Sequence, residues 1–427
     1  MSLHLTQGDL VPVIRDIVHA QLQQASPARF GSLRRSQVPI LVALRDSDLD
    51  IDSLELIRVG NAVANFFNLR DAGVEDLLLT DTSIAGFAKV VNDARIGYSD
   101  FQIDTARDFT FASSGSTGKS TFWRHHESWL NQEIQYWNVV LSAQPSKIRR
   151  IVACVPRCHV YGFIWTVLLP KALGIDVVEL FPEQLFAHKL KTGDLVVATP
   201  SIWSVWDSLE FTWPSGILGV SSTAPLSRNI AQSLAKCGLP IIEIYGSTEN
   251  AGIAARHPGT SNFELITHFS FNMGDEMDLI RHCPDGVSRK FTLLDNVKIS
   301  KDKTNESNSQ FIVTGRKDHV VQINGYNVST QWIALQVKSI QGISDCAVRK
   351  MNPHEGEYLK VCLVINPNAD KANVLASTRA WCDANLPTNA RPKHYHVAAK
   401  LPHNEIGKLT DWPITFESDS LAIGLTR

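Results

Sequence analysis

Apolar residues recur at helical spacing through the first hundred positions. In DLVPVIRDIVHAQL, Leu10, Val13, Ile14, Ile17, Val18 and Leu22 fall on one face of a helix. The stretch SLELIRVGNAVANFF (53–67) does the same with Leu54, Ile57, Ala62, Val63 and Phe66, and SIAGFAKVV (83–91) is a shorter third. Polar or charged loops join them, with no Gly-rich linker before Asp100. This pattern predicts a small helical domain over 1–97. From about residue 101 short apolar runs alternate with helical stretches. RRIVACVP (149–156), DVVEL (176–180), DLVVATP (194–200), GILGVSS (216–222) and PIIEIYG (240–246) each end at small or turn-forming residues, and SRNIAQSLAKCG (227–238) reads as a helix. Such alternation predicts an α/β sheet that holds ligands at the carboxyl ends of its strands. Residues 291–326 are more β-like, with a polar hairpin at SKDKTNESNS (300–309). After Asp318 the order strand, helix, strand, strand, helix predicts a compact α+β unit. The expected division is therefore 1–97, 98–317 and 318–427.

Composition narrows the function. The 427 residues are 44% hydrophobic, enough for a large core. Charge is nearly balanced, 41 basic against 43 acidic residues, which gives no electrostatic case for nucleic acid or an acidic membrane surface. No apolar run approaches bilayer length, so membrane insertion is not expected. Seven scattered Cys residues contain no CxxC pair. Cys154 and Cys158 lie near one His, short of the four spaced ligands of a zinc site. A reduced, cytoplasmic protein is the plain reading.

The chemistry begins at FASSGSTGKST (111–121), a donor-rich loop suited to holding an anion. A Walker A loop requires Gly five residues before Gly118-Lys119-Ser120, and Ser113 stands there instead. Further along come CVPRCHVYGFIWTVLLPKALG (154–174), IYGSTENAG (244–252), VTGRKDHVVQINGYNVS (313–329) and LPHNEIGKLTD (401–411). Each alone is weak. Their joint order and spacing resembles the adenylate-forming superfamily of acyl-CoA synthetases, aryl-acid ligases, luciferases and peptide-synthetase adenylation domains. The resemblance covers roughly residues 105–412.

That resemblance implies an adenylating large α/β domain over 98–317 and a mobile small α+β domain over 318–427. Ser113, Ser114, Gly115, Ser116, Thr117 and Gly118 would wrap the β- and γ-phosphates of ATP. Tyr245, with Gly246 next to it, would stack on adenine. Thr248 would bond the α-phosphate and Glu249 would hold Mg²⁺. Asp295 would accept from the ribose hydroxyls with help from Arg316, Asp318 would be the hinge, and Lys408 would reach the substrate carboxylate and the α-phosphate. These roles suit the chemistry, because joining a carboxylate to ATP brings two anions together. No general base is needed, since the carboxylate is already the nucleophile. A thiol then attacks the acyl-adenylate, with Lys408 swung away about Asp318. The sequence departs from the family wording at two places: Lys119 comes directly after Gly118 with no Pro, and Leu293-Leu294 precede Asp295.

Asp52-Ser53-Leu54, opening an amphipathic stretch, resembles the phosphopantetheine site of acyl-carrier proteins, which would make 1–97 a carrier-like domain modified at Ser53. Asp-Ser before a helix is also an ordinary N-cap. The acceptor thiol is thus expected on CoA or on a phosphopantetheinyl carrier, with an acyl carrier protein as a candidate partner.

Amino-acid-activating relatives place an Asp after the Pro156-Arg157-Cys158-His159 stretch; here Val160-Tyr161-Gly162-Phe163 stands instead, so an aromatic or other non-amino acid is expected. His159, Tyr161, Phe163, Ser221 and Gly252 are candidate pocket residues, with Trp165, Ser222 and Gly246 beside them. For any single aromatic the competing role is core packing. His125, His126 and His257 stand in polar context and read as surface residues. The leading expectation is an ATP-dependent acid–thiol ligase. The alternatives are a degenerate docking module of the same fold without turnover, and a Walker-type NTPase, which the missing Gly disfavours.

Overall fold

The computed structural model describes residues 4–101, 107–113, 121–180, 190–209, 211–273, 277–300, 310–316, 320–323, 326–352, 355–402, 409–412 and 414. Two compact units divide the chain, residues 1–318 and 319–427.

The first unit opens with helices α1 (Gln7–Ala25), α2 (Pro27–Phe30), α3 (Ser53–Phe66) and α4 (Ile84–Phe101). The six apolar residues read on one face of α1 are all buried. Its N-terminus is closed by a capping box between Thr6 and Asp9. In α3 the buried stripe is Leu56, Val59, Gly60, Val63, Ala64 and Phe66, while Leu54 and Ile57 are exposed. The face expected from the sequence is therefore wrong at the helix start. A second capping box explains the phase: Glu55 N donates to Asp52 Oδ1 (2.7 Å), and Asp52 N donates to Glu55 Oε2 (3.1 Å). Glu55 turns inward to an ion pair with Arg29 (3.0 Å), which carries its neighbours outward.

The boundary expected at residue 97 falls inside α4, and no break in packing separates the helices from the sheet they cover. Phe66 of α3 and Phe67, which caps that helix, join Phe109, Phe111 and Phe163 in one aromatic cluster, with ring centroids 4.6 to 6.2 Å apart. A buried ionic network makes a second joint. Arg15 of α1 bonds Glu179 (2.7 Å), Arg35 reaches Asp16 (3.3 Å), and the Asp16 carboxylate accepts from Arg157 N (2.8 Å).

Next come the hairpin β1 (Phe109–Ser113) and β2 (Thr121–His125), then α5 (Glu127–Ser142). The main sheet has nine strands. Its parallel half is β3 (Arg150–Ala153), β4 (Asp176–Glu179), β5 (Asp194–Ala198), β6 (Leu218–Ser221) and β7 (Ile241–Ser247), in the spatial order β4-β3-β5-β6-β7. The short helices α6 (Val160–Phe163) and α7 (Leu169–Leu173), which flank a π-turn, connect β3 to β4. α8 (Pro200–Asp207) and α9 (Arg228–Lys236) connect β5 to β6 and β6 to β7. All four residues of β6 and all five of β5 are buried, as an unbroken apolar run between two covering layers requires. An antiparallel half continues from β7 through β8 (Ala251–Arg256) and β9 (Phe263–Leu265). After a separate sheet of β10 (Phe269–Met273), β11 (Met277–His282) and β12 (Ser288–Thr292), the strands β13 (Asp295–Ile299) and β14 (Gln310–Arg316) complete the edge. The chain leaves β3 toward β4 on one side, and β5 lies on the other. That reversal opens a crevice at the carboxyl ends of β3 and β5. The segment Pro156-Arg157-Cys158-His159 begins there.

The second unit contains the hairpin β15 (Val320–Ile323) and β16 (Tyr326–Ser329), helix α10 (Thr330–Lys338), and a sheet of β17 (Ile343–Lys350), β18 (Leu359–Ile365) and β19 (Pro392–Ala398). Helix α11 (Lys371–Asn385) makes the crossover from β18 to the parallel β19. Its N-cap Asp370 accepts from Ala372 N and Asn373 N.

Candidate active site

The candidate residues gather where the parallel half of the sheet ends. Ser113 closes β1 and pairs with Thr121, the first residue of β2. Ser114, Gly115, Ser116, Thr117 and Gly118 themselves lie outside the described residues, as do Asp318 and Lys408.

After β6, Ser222 Oγ donates to the Ile244 carbonyl (3.0 Å) and ties that strand end to β7, while the buried Ser221 hydroxyl has no partner among the described residues. Tyr245, near the end of β7, lies among Phe263 and Phe311 and donates its phenol proton to Asp295 Oδ2 (2.7 Å). Asp295 opens β13 directly across from Arg316 in β14. Two residues read as nucleotide contacts, 50 positions apart, therefore touch.

Thr248 and Glu249 occupy the turn between β7 and β8, and buried side chains hold that turn by its backbone. His125 Nε2 lies 2.7 Å from the Thr248 carbonyl. Arg281 Nη1 donates to the Asn250 carbonyl (3.2 Å). Gly252 N donates to Glu133 Oε2 (3.0 Å), and Trp137 Nε1 donates to Glu133 Oε1 (3.1 Å). Between them Ala251 takes φ +60°, a conformation that L-residues adopt only at some strain. Gly246 and Gly252 face each other across the turn. A Cβ on Gly246 would meet the Ala251 carbonyl at 2.2 Å, and one on Gly252 would meet Glu133 at 2.4 Å. The backbone contact confines position 246 to glycine, whereas at 252 the Glu133 carboxylate would have to move.

Burial sets the charge states behind the turn. The Glu133 carboxyl is pushed up to about 7 and the His125 imidazole down to about 4. His125 thus belongs to the interior, which corrects its reading as a surface residue: the strand register turns it inward at the end of β2. His126 is half-exposed beside Asp108, as its polar context suggested. His125, Glu133 and Arg281 were not legible as site residues. Their partners lie 123, 119 and 31 positions away, and no local spacing announces such contacts.

The proposed acid pocket divides. His159 is the exposed N-cap of α6. Tyr161 is buried, its hydroxyl 3.0 Å from the Ala198 carbonyl and 2.8 Å from that of Val220, at the ends of β5 and β6. Phe163 is fully buried in the aromatic cluster and is a core residue, as is Trp165 against Trp137. Burial pushes the Cys154 and Cys158 thiols up to about 12. Among the described residues no three His, Cys, Asp or Glu side chains are placed to hold a metal. The half-buried Glu249 carboxylate makes no hydrogen bond or ion pair among those residues. A single unclaimed carboxylate fits Mg²⁺, which takes one or two protein carboxylates together with substrate phosphates and water.

Comparison with known proteins identifies the family. The profile of the AMP-binding enzyme C-terminal domain matches residues 336–408. The chain is 32% identical over 411 residues to a 4-coumarate–CoA ligase from Halorhodospira halophila, covering 95% of this chain and 99% of that one. It is 31% identical over 374 residues to a 4-coumarate–CoA ligase from Cereibacter sphaeroides, covering 86% and 85%. Among solved structures, an o-succinylbenzoate CoA synthetase from Bacillus subtilis superposes with TM-score 0.56 at 15% identity, over 70% of this chain and 67% of that one. A malonyl-CoA ligase does so with TM-score 0.54 at 17% identity, over 70% and 72%. With the curated relatives matched over nearly its whole length, the chain belongs to the adenylate-forming family of ATP-dependent acid–thiol ligases.

Proposed function

We propose that this enzyme converts a hydroxycinnamic acid of the 4-coumarate class to its CoA thioester through an acyl-adenylate. The supporting observation is the Tyr245–Asp295 contact beside the clamped Thr248–Glu249 turn, in a chain that matches proteins named as 4-coumarate–CoA ligases. In this reading Tyr245 offers its ring to adenine, and Asp295, with Arg316, accepts from the ribose. Thr248 donates to the α-phosphate, and the loop from Ser113 to Gly118 receives the departing pyrophosphate. Glu249 would hold Mg²⁺, whose charge offsets that of the phosphates. The acid's carboxylate attacks the α-phosphorus and pyrophosphate leaves. Lys408 stabilises the charge that builds there. The thiol of CoA then attacks the acyl carbonyl and AMP leaves, after the small domain has turned about Asp318. His159, Tyr161, Ser221 and Gly252 border the acid's side of the site.

CoA is preferred to a carrier as acceptor because the match to a protein named as a CoA ligase covers 95% of this chain and so reaches into the helical segment. Asp52, the carrier-like neighbour of Ser53, is already engaged as an N-cap. Seven free cysteines support a reducing compartment such as the cytoplasm, and no helix among the described residues is long and apolar enough to cross a membrane.

The test is 4-coumarate-dependent ATP–pyrophosphate exchange, then thioester formation on adding CoA. Exchange is expected with the wild type and lost in Lys408→Ala. A folded protein that gives no exchange with a panel of aryl and fatty acids is instead the docking module. Intact mass after treatment with a phosphopantetheinyl transferase addresses Ser53, and an unchanged mass eliminates the carrier role.

A further inference from the structure

Lysine is rarely found fully buried without a paired charge, yet Lys360, in the middle of the small sheet, has no exposed side-chain surface. Its ammonium donates to Glu355 Oε2 (2.7 Å), to the Trp412 carbonyl (2.7 Å) and to Asp411 Oδ2 (3.1 Å), with Asp411 Oδ1 2.9 Å away in an ion pair. The bond from Lys360 holds the Glu355 carboxyl below its usual range. Two of these three partners lie in one short stretch of chain, residues 411–412, and its neighbours are fixed as well. Arg349 Nη2 donates to the Leu409 carbonyl (2.6 Å), and Asn352 Nδ2 donates to Asp411 (2.6 Å). Thr410 N donates to the Pro402 carbonyl (2.8 Å). The Trp412 ring is buried against Ala347 and Cys362, with Lys360 Nζ 5.6 Å from its centroid. Residues 409–412 are thus clamped to β17 and β18, directly after Lys408 in the sequence.

We propose that Lys360 is a positioning residue for acid activation: by gripping Asp411 and Trp412 it fixes the chain that directly follows Lys408. The proposal rests on the reading in which Lys408 serves the attack of the acid on ATP. A buried cation with three acceptors, two of them in the tail, specifies one position for that tail, which packing alone does not. Delivery of Lys408 requires that precision, because a displacement of about 1 Å at a charged catalytic group costs on the order of 100-fold in rate. Attack of CoA on a finished adenylate does not use Lys408 in this reading. Lys360 should therefore matter for one half-reaction and not the other.

The experiment uses the full chain and three variants: Lys408→Ala, Lys360→Met and Asp411→Asn. Met keeps the length of the stem, and the Asp411 side chain is exposed enough for Asn to leave the fold intact. Two rates are measured: acid-dependent ATP–pyrophosphate exchange, and CoA-dependent consumption of synthetic 4-coumaroyl-adenylate. Lys360→Met is expected to lower the kcat of exchange by about 10- to 100-fold, with the KM for ATP little changed and thioester formation retained. Asp411→Asn should show the same split to a smaller degree. Equal loss of both rates in Lys360→Met would reveal a purely structural clamp and overturn the proposal, as would undiminished exchange. Undiminished exchange in Lys408→Ala would remove the reading of Lys408 itself, and the positioning role with it. That failure is recognised by its own variant.

Discussion

At the scale of single residues, the site is organised by side chains that grip backbone. Glu133 shows the energetic consequence. Burial raises its carboxyl from 4.5 to about 7, so the folded protein retains a proton that the unfolded chain releases. The stability contributed is complete below pH 4.5 and is lost as pH rises through about 7. The span is on the order of 3 kcal/mol. Glu133→Gln, which carries no charge, should flatten the decline of the thermal midpoint between about pH 5 and 8 relative to the wild type, as read by calorimetry at matched ionic strength. A parallel decline in both proteins would mean that Glu133 does not titrate in this window. Tyr245→Phe removes one hydrogen bond to Asp295 and keeps the ring. A net loss of about 1 kcal/mol should raise the KM for ATP roughly fivefold with kcat nearly unchanged, and initial-rate kinetics across ATP concentrations check it.

At the scale of elements, the chain's patterning announces some structures and conceals others. The face of α1 is written in its apolar spacing, because all six residues read there are buried. α3 is misread at its start, since a buried acid, Glu55, takes the place of an apolar residue in the phase. β19 escapes notice altogether: in PKHYHVA the alternation is confined to Tyr395 and Val397, and all of it after Pro392 is exposed or half-buried. The site motifs are legible because they are contiguous. The residues that hold them, His125, Glu133 and Arg281, are scattered, and only folding brings them near. The joint between α1 and the sheet belongs to this hidden class. Asp16→Ala should destabilise the first unit by about 3 kcal/mol, because it takes a buried carboxylate from Arg15 and Arg35 and leaves the Arg157 amide without its acceptor. Urea denaturation monitored by tryptophan fluorescence would show a lowered midpoint, and an unchanged one would deny the network its role.

At the scale of the whole molecule, the two compact units differ in what they need. Residues 319–427 close their own core around Ile333, Val337, Leu359, Val361 and Leu363. Expressed alone, they should give a cooperative thermal transition by circular dichroism. Residues 98–318 should not, because Phe109, Phe111 and Phe163 lose the rings of Phe66 and Phe67 that cover them. The shared aromatic cluster also governs how such a chain can be recombined with its relatives. A crossover near residue 97 cuts through α4 and asks rings from two parents to interlock, whereas one near 318 exchanges a self-sufficient piece. Libraries of chimaeras should therefore yield soluble hybrids at the second breakpoint and precipitate at the first, whatever acid either parent activates.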